Sequence, residues 1–512
     1  MHFINPCSVS SIAFVLSFAS AFLPSLVIAQ NANSPILAAC LSTAGIETSL
    51  PTNATWSTDI SAWQARISPI PAAVAYPQTE AEVPEILRCA RESNVKVTIL
   101  GGNRSFSSLG FGRDNDALVI SMKYFTSMSV DSTTGDFTFG AGIVISQAVN
   151  YLWQTAQLAI PHGRCPDVGL AGVTLGGGFG TLSRLLGTPL DNLVRVKAVL
   201  SDGSVVSASA TENSDLFWAL RGAAPSFAVV TELTLKTWKP QSLQITNYTI
   251  AFTNRSATTI EQNANALLAI QEWGLSDENS DYLSMRWSLA KSSQGLGFFY
   301  GPPEEFNATM APLMAKLPGM ALTSQVNDFI TSEEISTPGL IANSVTPRRY
   351  FFILSATITR DHPFTYDSAV ALYNGTAYLP TRTDASFSGF ADLWGGALSS
   401  EISDDSSAWA HGNDLWLVRY DARTRTPDAP WGADLIDYFS AGWESFLVAM
   451  RATGWTDRAF LNYRNSAWSQ DEMAENLYGG GNWERLLELK REFDPIGMFN
   501  TDRNQSIPLV TA

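Results

Sequence analysis

The sequence predicts an α+β protein of two domains, and three observations support this prediction. Its 512 residues exceed what one ordinary hydrophobic core accommodates. From Pro77 to Pro240, short apolar strand patterns alternate with amphipathic helical patterns. From Gln241 the pattern changes to longer apolar helices and strands that are rich in aromatic residues. We therefore expect a first domain over residues 68–240 and a second domain over residues 241–459.

The first 29 residues are typical of a secretory signal peptide. Met1 to Ala29 contains no Asp, Glu, Lys or Arg, and it includes an apolar run from Ile12 to Ala21. Serine and proline interrupt the apolar region, so it lacks the unbroken span of about 20 residues that a membrane anchor needs. We expect cleavage after Ala29, a secreted protein, and an N-terminal lead over residues 30–67.

The cysteine count is odd once the signal peptide is removed. Cleavage takes Cys7 away and leaves Cys40, Cys89 and Cys165. In an oxidising compartment, Cys40 in the lead and Cys89 on the first predicted helix are the natural disulfide pair. Cys165 is then left over, which indicates either intermolecular pairing, a buried thiol or a special chemical use.

Charge and glycosylation motifs restrict the class of partner. A net charge of −16 without long acidic runs argues against nucleic acid and against an anionic membrane surface. Seven Asn-x-Ser/Thr sequons fit an exported glycoprotein. The sequons begin at Asn53, Asn103, Asn247, Asn254, Asn307, Asn374 and Asn504.

The elements of the first domain follow from periodicity and turn residues. Thr79 is a candidate helix cap, and Ser201-Asp202-Gly203 is a hairpin turn in which glycine supplies a positive φ. The first predicted helix follows the Thr79 cap, tolerates Pro84 in its early turns and continues through Glu85 to Arg91. Further helices are predicted from Ser146 and from Thr211 onward. The predicted strands are Val95 to Leu100, Leu118 to Ser121, Phe137 to Phe139, Val194 to Leu200, Ser204 to Ser209 and Phe227 to Trp238.

The rest of the chain mixes the same two patterns at greater length. Ile260 to Trp273 predicts a helix, whereas Tyr350 to Thr359 and Leu415 to Tyr420 predict strands. Phe460 to Asn465 is strand-like, and an amphipathic helix from Asn482 to Phe493 ends before a proline.

Two glycine-rich blocks are the candidate ligand-binding segments. The strand ending at Leu100 continues directly into Gly101-Gly102-Asn103-Arg104-Ser105-Phe106, and the second block extends from His162 to Gly180 around Cys165. Glycine lets bare backbone N–H groups approach an anionic ligand. The spacing from Gly176 to Gly180 does not fit the Gly-x-Gly-x-x-Gly dinucleotide fingerprint, which argues against a nicotinamide dehydrogenase.

The second block resembles the flavin-binding segment of the berberine bridge enzyme-like flavoproteins, a branch of the vanillyl-alcohol oxidase group. In that family the cysteine equivalent to Cys165 attaches covalently to FAD. The first block resembles the other attachment motif, normally glycines followed by His-Ser, but Arg104 occupies the histidine position. The resemblance therefore implies a vanillyl-alcohol-oxidase-type FAD-binding domain and at most a cysteinyl link to FAD.

The C-terminal residues 460–512 resemble the berberine bridge segment of the same family. The matching features are Asn462-Tyr463, Tyr478-Gly479, the Asn482 to Leu486 stretch and the Asp494 to Phe499 stretch. The resemblance implies that this segment returns to the FAD-binding domain. The cofactor-binding residues that it implies are Gly101, Gly102, Asn103, Arg104, Ser105, Cys165, Val168, Gly169, Gly172, Gly176, Gly177, Gly178, Gly180 and Asn462.

The resemblance also implies a chemistry. An FAD oxidase needs a base for the proton of the substrate hydroxyl, and the family places the tyrosine equivalent to Tyr463 over the flavin. A free tyrosine titrates near pKa 10, so this role needs a positive neighbour; packing in the core is the alternative. Val168 matches a position where valine accompanies oxidase behaviour, which implies dioxygen as acceptor. Val173, at a position where the family usually has histidine, implies a less oxidising flavin, as does Arg104.

Three functions remain open at the level of sequence. The leading hypothesis is a secreted FAD-dependent oxidase that acts on a CH–OH group of a secondary metabolite or of a carbohydrate with a reducing end. A redox-neutral isomerase or cyclase and a non-catalytic binding protein are the alternatives. His162, His362 and His411 show no metal-ligand spacing, so we expect no metal. His411 is a candidate pocket residue or a structural histidine.

Overall fold

The computed structural model describes residues 34–427 and 429–510; the predicted signal peptide and Cys7 lie outside this range. The described strands are β1 (Thr48–Ser49), β2 (Ala73–Ala75), β3 (Val97–Leu100), β4 (Leu118–Ser121), β5 (Met128–Val130), β6 (Phe137–Gly140), β7 (Leu193–Val199), β8 (Val205–Ser209), β9 (Val229–Leu235), β10 (Gln244–Phe252), β11 (Leu283–Ser288), β12 (Gln294–Phe299), β13 (Met320–Asp328), β14 (Phe351–Thr359), β15 (Ala385–Leu393) and β16 (Asp414–Thr424).

The described helices alternate with these strands. They are α1 (Ser34–Thr43), α2 (Trp56–Asp59), α3 (Glu82–Glu92), α4 (Ile145–Ala156), α5 (Leu170–Leu175), α6 (Ser183–Leu186), α7 (Ser214–Ala223), α8 (Ile260–Leu275), α9 (Phe306–Ala315), α10 (Phe329–Ser336), α11 (Tyr366–Gly375), α12 (Ala397–Glu401), α13 (Leu435–Arg451), α14 (Gln470–Leu477) and α15 (Gly479–Phe493). Within the part of the chain that the structure describes, no helix combines the length and the apolar character needed to cross a bilayer.

Two small sheets form the N-terminal part of the fold. The first has the order β1-β2-β4-β3, with parallel pairing of β2, β4 and β3; the second is antiparallel and has the order β5-β6-β9-β7-β8. Both sheets contribute to one apolar core, for example through Val97 and Ile120 of the first and Val196 and Leu233 of the second. The predicted turn between β7 and β8 is confirmed, with Gly203 at φ +94°.

The central part is a seven-stranded antiparallel sheet of order β13-β10-β12-β11-β15-β16-β14. Successive side chains of a strand point to opposite faces, so each strand contributes to two environments. On one face, Trp287, Val418 and Tyr420 join an apolar core with Leu372 of α11 and Phe439 of α13. The opposite face carries charged residues at alternate positions, and the register pairs Arg286 with Asp392 and Phe390 with Arg419.

The C-terminal residues return to the N-terminal core. Leu477 of α14 and Leu486 of α15 are buried in the same cluster as Val97 and Leu233. At the end of α15, Lys490 and Asp494 form a fully buried ion pair with an Nζ to Oδ2 distance of 2.7 Å. Asp494 Oδ1 also accepts a hydrogen bond from the backbone N–H of Met498 at 2.8 Å. This part of the chain is therefore packed into the N-terminal unit.

The structure corrects two predicted elements and moves the start of a third. The strand predicted at Phe460 to Asn465 is wrong: Leu461–Tyr463 is a 3₁₀ turn, since the N–H of Tyr463 donates to the carbonyl of Phe460 at 2.9 Å. The strand predicted from Phe227 to Trp238 is limited to β9, because a 3₁₀ turn precedes it and the antiparallel register with β7 ends at Leu235. Helix α15 begins at Gly479 instead of Asn482.

The expected disulfide between Cys40 and Cys89 is present. It joins α1 to α3, with 5.5 Å between the two Cα atoms. A covalent link of this kind is typical of proteins that fold in an oxidising compartment.

Candidate functional site

A cavity of about 250 Å³ lies between the two glycine blocks and the charged face of the seven-stranded sheet. One side consists of the loop after β3 and residues 163–176; we call these segments the glycine wall. The other side, which we call the sheet wall, includes Arg286 on β11 and Arg419 on β16. Residues 460–464 close the cavity between the two walls.

The two glycine blocks touch each other through their backbones. A Cβ atom added to Gly102 would lie 2.2 Å from the backbone nitrogen of Gly169, and one added to Gly169 would lie 2.5 Å from that of Gly102. No side chain fits at either position, because neither backbone can withdraw without moving its whole loop. By contrast, a Cβ added to Gly172 would meet no atom within 4 Å. Gly172 lines the cavity and leaves room there for a bound molecule.

Asn462 fastens the C-terminal segment to the second glycine block. Its side-chain nitrogen donates to the carbonyl of Gly172 at 3.3 Å, and its side-chain oxygen accepts from the N–H of Gly178 at 2.9 Å. A Cβ at Gly176 would lie 2.1 Å from the Asn462 side-chain nitrogen, so glycine is required for this contact. The sequence-predicted residues that line the cavity are Gly101, Gly102, Asn103, Arg104, Ser105, Cys165, Val168, Gly169, Gly172, Gly176, Asn462 and Tyr463.

Three predicted cofactor residues do not line the cavity. Gly177 packs against the ring of Trp409, Gly178 has φ +77° and lies against Pro189, and Gly180 approaches the carbonyl of His162. Their lack of a side chain serves the tight folding of the second block behind the glycine wall. The structure thus places Gly177, Gly178 and Gly180 outside the cavity lining, and their expected contact with a cofactor stays a prediction of the sequence resemblance.

Arg104 is held in place by its own neighbours. Its guanidinium forms an ion pair with Asp167 and lies 4.2 Å from the centre of the Trp63 ring. Asp167 in turn accepts a hydrogen bond from the N–H of Thr346 at 2.7 Å. The Arg104 side chain is 6% exposed, which excludes a solvated role, and its Nε has no hydrogen-bond partner among the described residues.

Cys165 also lines the cavity, between Arg164 and the turn that leads to Val168. Its sulfur already has a bonding partner in the structure, so the expectation of a leftover thiol is not met. Attachment of FAD to Cys165 therefore stays a prediction of the sequence resemblance.

Tyr463 lies where the two walls meet. Its ring contacts Phe460 and Phe106, with centre-to-centre distances of 4.8 Å and 5.7 Å. The guanidinium of Arg419 lies 4.8 Å from the centre of the same ring. Tyr463 lines the cavity, and no described residue hydrogen-bonds to its hydroxyl group. A negative charge that develops on this oxygen would be stabilised by the neighbouring cation.

The sheet wall contains a group of buried charges that sequence reasoning missed. Arg286 makes a two-point contact with Asp392, at 2.8 Å and 2.7 Å, and Arg419 contacts Asp421 at 3.2 Å. Arg164, from the second glycine block, places Nη2 3.7 Å from Asp392. Burial, together with the charge of Arg286, lowers the pKa of Arg164 to about 10, so it remains cationic near neutral pH.

The sequence does hold a signal for these residues. Strand β16 reads Leu-Trp-Leu-Val-Arg-Tyr-Asp-Ala from Leu415, so Arg419 and Asp421 are charges spaced two apart in an apolar strand. Every residue of β16 is buried. Buried charges on one face of a strand are costly unless they are paired or bind a ligand, which marks that face as a candidate site.

The histidines take structural positions. His411 is fully buried, places Nε2 2.8 Å from Asp191, and stacks on Trp409 with 4.2 Å between ring centres. It does not line the cavity, so the structural alternative holds. His162 contacts Glu333 at 3.2 Å, and His362 contacts the carbonyl of Thr453 at 3.0 Å. No group of three metal-binding side chains occurs among residues 34–427 and 429–510.

The cavity fits an FAD molecule. The open space beside Gly172 and the unpartnered Nε of Arg104 leave both room and a hydrogen-bond donor for a ligand. The backbone of the glycine wall can approach an anionic group closely, and the cavity lining also includes apolar side chains such as Val168, Val173 and Phe179. Residues 101–105, 168–176 and Asn462 would hold such a cofactor.

Comparison with known proteins agrees with this assignment. A family model described as an FAD binding domain matches residues 71–209, and one described as berberine and berberine like matches residues 459–508. A glucooligosaccharide oxidase of Sarocladium strictum is 28% identical over 96% of this chain and 97% of its own length.

Solved structures show the same architecture. A chitooligosaccharide oxidase superposes with a TM-score of 0.84 at 26% identity, over 93% of this chain and 100% of its own. The glucooligosaccharide oxidase from Acremonium strictum, described with a 6-S-cysteinyl, 8α-N1-histidyl FAD, has a TM-score of 0.82 at 26% identity, again over 93% and 100% of the two chains. The α+β fold with a vanillyl-alcohol-oxidase-type FAD-binding domain is confirmed.

Proposed function

The chain is a berberine bridge enzyme-like FAD-linked oxidoreductase, and we propose that it oxidises a CH–OH group of a carbohydrate with dioxygen as the final acceptor. Three of its relatives are named gluco-, chito- and xylooligosaccharide oxidases, and these names support a carbohydrate over a secondary metabolite. The observation that carries the proposal is the position of Tyr463, which lines the cavity and has the guanidinium of Arg419 4.8 Å from the centre of its ring.

Tyr463 is the proposed base. In this role Tyr463 acts in its deprotonated form: the substrate hydroxyl donates its proton to the phenolate oxygen, which becomes the neutral phenol, and the Arg419 guanidinium lies 4.8 Å from the centre of the ring. Bound FAD would supply the acceptor for the hydride that leaves the substrate carbon, and it would pass two electrons on to dioxygen to give hydrogen peroxide. Phe106 and Phe460 both contact the tyrosine ring edge to face, which restricts the movement of that ring.

The glycine wall is proposed as the cofactor side and the sheet wall as the substrate side. This division assigns residues 68–240 and 460–512 to FAD and residues 241–459 to the substrate. The disulfide between Cys40 and Cys89 supports export, in agreement with the sequence of residues 1–29. Val168 lines the cavity, which supports access of dioxygen to this side.

The test is a saccharide panel on the purified FAD-containing protein. We expect oxygen uptake and hydrogen peroxide in equal amounts with at least one reducing sugar, and bleaching of the flavin by the same sugar without oxygen. Product formation without flavin bleaching would instead support a redox-neutral isomerase. A flavin that responds to dithionite but to no saccharide would contradict the proposal of a carbohydrate substrate.

A further inference from the structure

The sheet wall carries more positive than negative charge. Arg164, Arg286 and Arg419 line the cavity, whereas the two carboxylates that they contact, Asp392 and Asp421, do not line it. Two further arginines, Arg349 and Arg423, lie close enough to Asp421 to interact with it or with each other. Each aspartate is therefore shared among more than one cation, and the excess positive charge faces the cavity.

Arg164 has the most open hydrogen-bonding capacity of the three. Its side chain is 10% exposed, and its one ion-pair contact is the 3.7 Å approach to Asp392, which is too long for a hydrogen bond. Its Nε is buried without a partner, and no described residue accepts a hydrogen bond from its guanidinium. A buried cation with unused donors is destabilising, so a chain that retains one in a cavity has a reason to bind an anion there.

Arg419 extends the same anion-binding surface. Its guanidinium lies between aromatic rings, 5.2 Å from the centres of Phe106 and Phe390, and its Nε has no partner. Arg286, by contrast, is fully engaged by Asp392 on one side and stacks on Phe390 at 3.5 Å on the other. Arg164 and Arg419 are thus the donors that remain for a ligand, and Arg286 holds Asp392, which Arg164 approaches at 3.7 Å.

The anion is part of the substrate. Arg419 lies 4.8 Å from the centre of the Tyr463 ring, and Arg164 lines the same cavity, close enough to Tyr463 for their charges to interact. Tyr463 is the base under the proposed function, so a molecule that reaches all three residues would be the one that is oxidised. A guanidinium binds a planar carboxylate through two parallel hydrogen bonds, which no neutral sugar hydroxyl can match. This step depends on the proposed function for its reaction, but not for the binding of an anion.

We propose that the cavity selects saccharides that carry a carboxylate, of the hexuronic acid type, and that Arg164 and Arg419 bind that carboxylate. The carboxylate does not react. The oxidised carbon still loses its hydrogen as hydride, and the hydroxyl proton still goes to Tyr463. Specificity for an acidic sugar comes from the charge balance of the sheet wall.

The first experiment measures binding without reaction on the FAD-containing protein. Methyl β-D-glucuronide and methyl β-D-glucoside differ only at carbon 6 and have no free anomeric hydroxyl to oxidise. By calorimetry we expect the glucuronide to bind about 10- to 100-fold more tightly, the range of a charge-assisted contact. Equal affinities for the two glycosides would overturn the proposal, whatever the protein oxidises.

The second experiment compares D-glucuronate with D-glucose as substrates. In Arg164→Gln we expect kcat/KM for glucuronate to fall by about 10- to 100-fold, and kcat/KM for glucose to change by less than about threefold. Arg164→Lys keeps the charge without the two-point geometry, so we expect partial recovery. Arg360→Gln is the matched control, because Arg360 is a partly buried arginine that follows β14, donates to the carbonyl of Gly396 at 3.1 Å and does not line the cavity; it should leave the ratio of the two substrates unchanged.

The outcomes separate this inference from the proposed function. If Arg164→Gln lowered kcat/KM equally for both sugars, or lost its bound FAD, the arginine would serve the flavin or Tyr463, and the inference would be overturned. The oxidase activity of the parent protein would be unaffected by that result. Glycoside discrimination in calorimetry without oxidation of any sugar would support the anion site and contradict the proposed function.

Discussion

The two walls of the cavity are built by opposite means. The glycine wall consists of backbone in contact with backbone, as at Gly102 and Gly169, and it works because side chains are absent. The sheet wall consists of long charged side chains, as at Arg286 and Asp392, which are held by cross-strand register on a rigid sheet. The first wall suits a cofactor that every member of a family shares, whereas the second can change its specificity one side chain at a time.

The two walls therefore differ in the kind of substitution that lowers the stability of the protein. The glycine wall tolerates no added atom, because its partners are backbone atoms that cannot move alone. The sheet wall tolerates changes of shape but not of charge, because each buried charge depends on its neighbours. Substitutions of each kind therefore test the comparison directly.

The largest effect is expected at Tyr463, where the two walls meet. Tyr463→Phe removes the proposed proton acceptor while the ring still packs between Phe106 and Phe460, so we expect flavin reduction by the substrate to slow by about 10²- to 10⁴-fold with FAD retained. Anaerobic stopped-flow absorbance measures this rate. Tyr300→Phe is the control, because Tyr300 is buried, hydrogen-bonds to Thr181 and does not line the cavity. If flavin reduction were as fast in Tyr463→Phe as in Tyr300→Phe, Tyr463 would not be the base.

The next effect is expected in the sheet wall. Asp392→Asn keeps the shape but leaves the charge of Arg286 without its counter-charge, so we expect the free energy of unfolding to fall by about 3–5 kcal/mol. Urea denaturation of the FAD-containing protein measures it. Asp384→Asn breaks a far more exposed pair with Arg382 and should cost at most about 1 kcal/mol. Similar losses of unfolding free energy at both sites would show that burial does not determine how much an ion pair of the sheet wall contributes to stability.

In the glycine wall, the effect of one added methyl group on stability depends on which glycine carries it. Gly102→Ala places a Cβ against the backbone of Gly169, and we expect a loss of about 3 kcal/mol together with reduced FAD content. Gly172→Ala is the matched substitution, because its Cβ meets no protein atom; it should leave thermal stability unchanged or slightly higher. Thermal unfolding and flavin absorbance of the two variants distinguish them. If Gly102→Ala were as stable as Gly172→Ala, the backbone contact would not hold the wall together.

The smallest effect concerns the buried carboxyl group of Asp414 at the start of β16, which lies 3.7 Å from Arg458. Neither oxygen of Asp414 accepts a hydrogen bond among the described residues, and burial raises the pKa of Asp414 to about 7 although Arg458 partly opposes the shift. The folded chain then holds a proton that the unfolded chain has lost, so the free energy of unfolding falls as pH rises from about 4 to 7. Asp414→Asn removes this loss, and we expect it to stabilise the protein by about 1–3 kcal/mol at pH 8 but little at pH 5.

Urea denaturation at the two pH values checks the Asp414 prediction. The exposed Asp277→Asn should show no difference between them. A gain that is equal at pH 5 and pH 8 would mean that the titration of Asp414 is not its source.

The sequence by itself determined the parts of the protein that depend on local chemistry. The hairpin turn at Gly203, the strand from Leu118 to Ser121 and the disulfide between Cys40 and Cys89 follow from residue type and spacing, and the structure has all three. The two glycine blocks could be identified from the sequence for the same reason, because a run of glycine indicates a backbone segment that approaches another backbone or a ligand closely.

The tertiary structure alone decided what the glycines approach and what faces them. Gly177, Gly178 and Gly180 look the same in sequence as Gly169 and Gly172, yet they support the fold behind the cavity. The turn at Tyr463 has a strand-like sequence, and its conformation depends on the hydrogen bonds that Asn462 makes to a loop 284 residues earlier in the chain.

The meeting of arginines from both walls is the clearest case. Arg164, Arg286 and Arg419 are far apart in sequence and show no shared motif, so no local pattern predicts their meeting. Strand register and side-chain alternation bring Arg286, Asp392 and Arg419 to one face, and the second glycine block then adds Arg164 from the other wall. Long-range pairing determines a charge balance of this kind, because electrostatic energy depends on distance in space and on burial, and the sequence encodes neither locally.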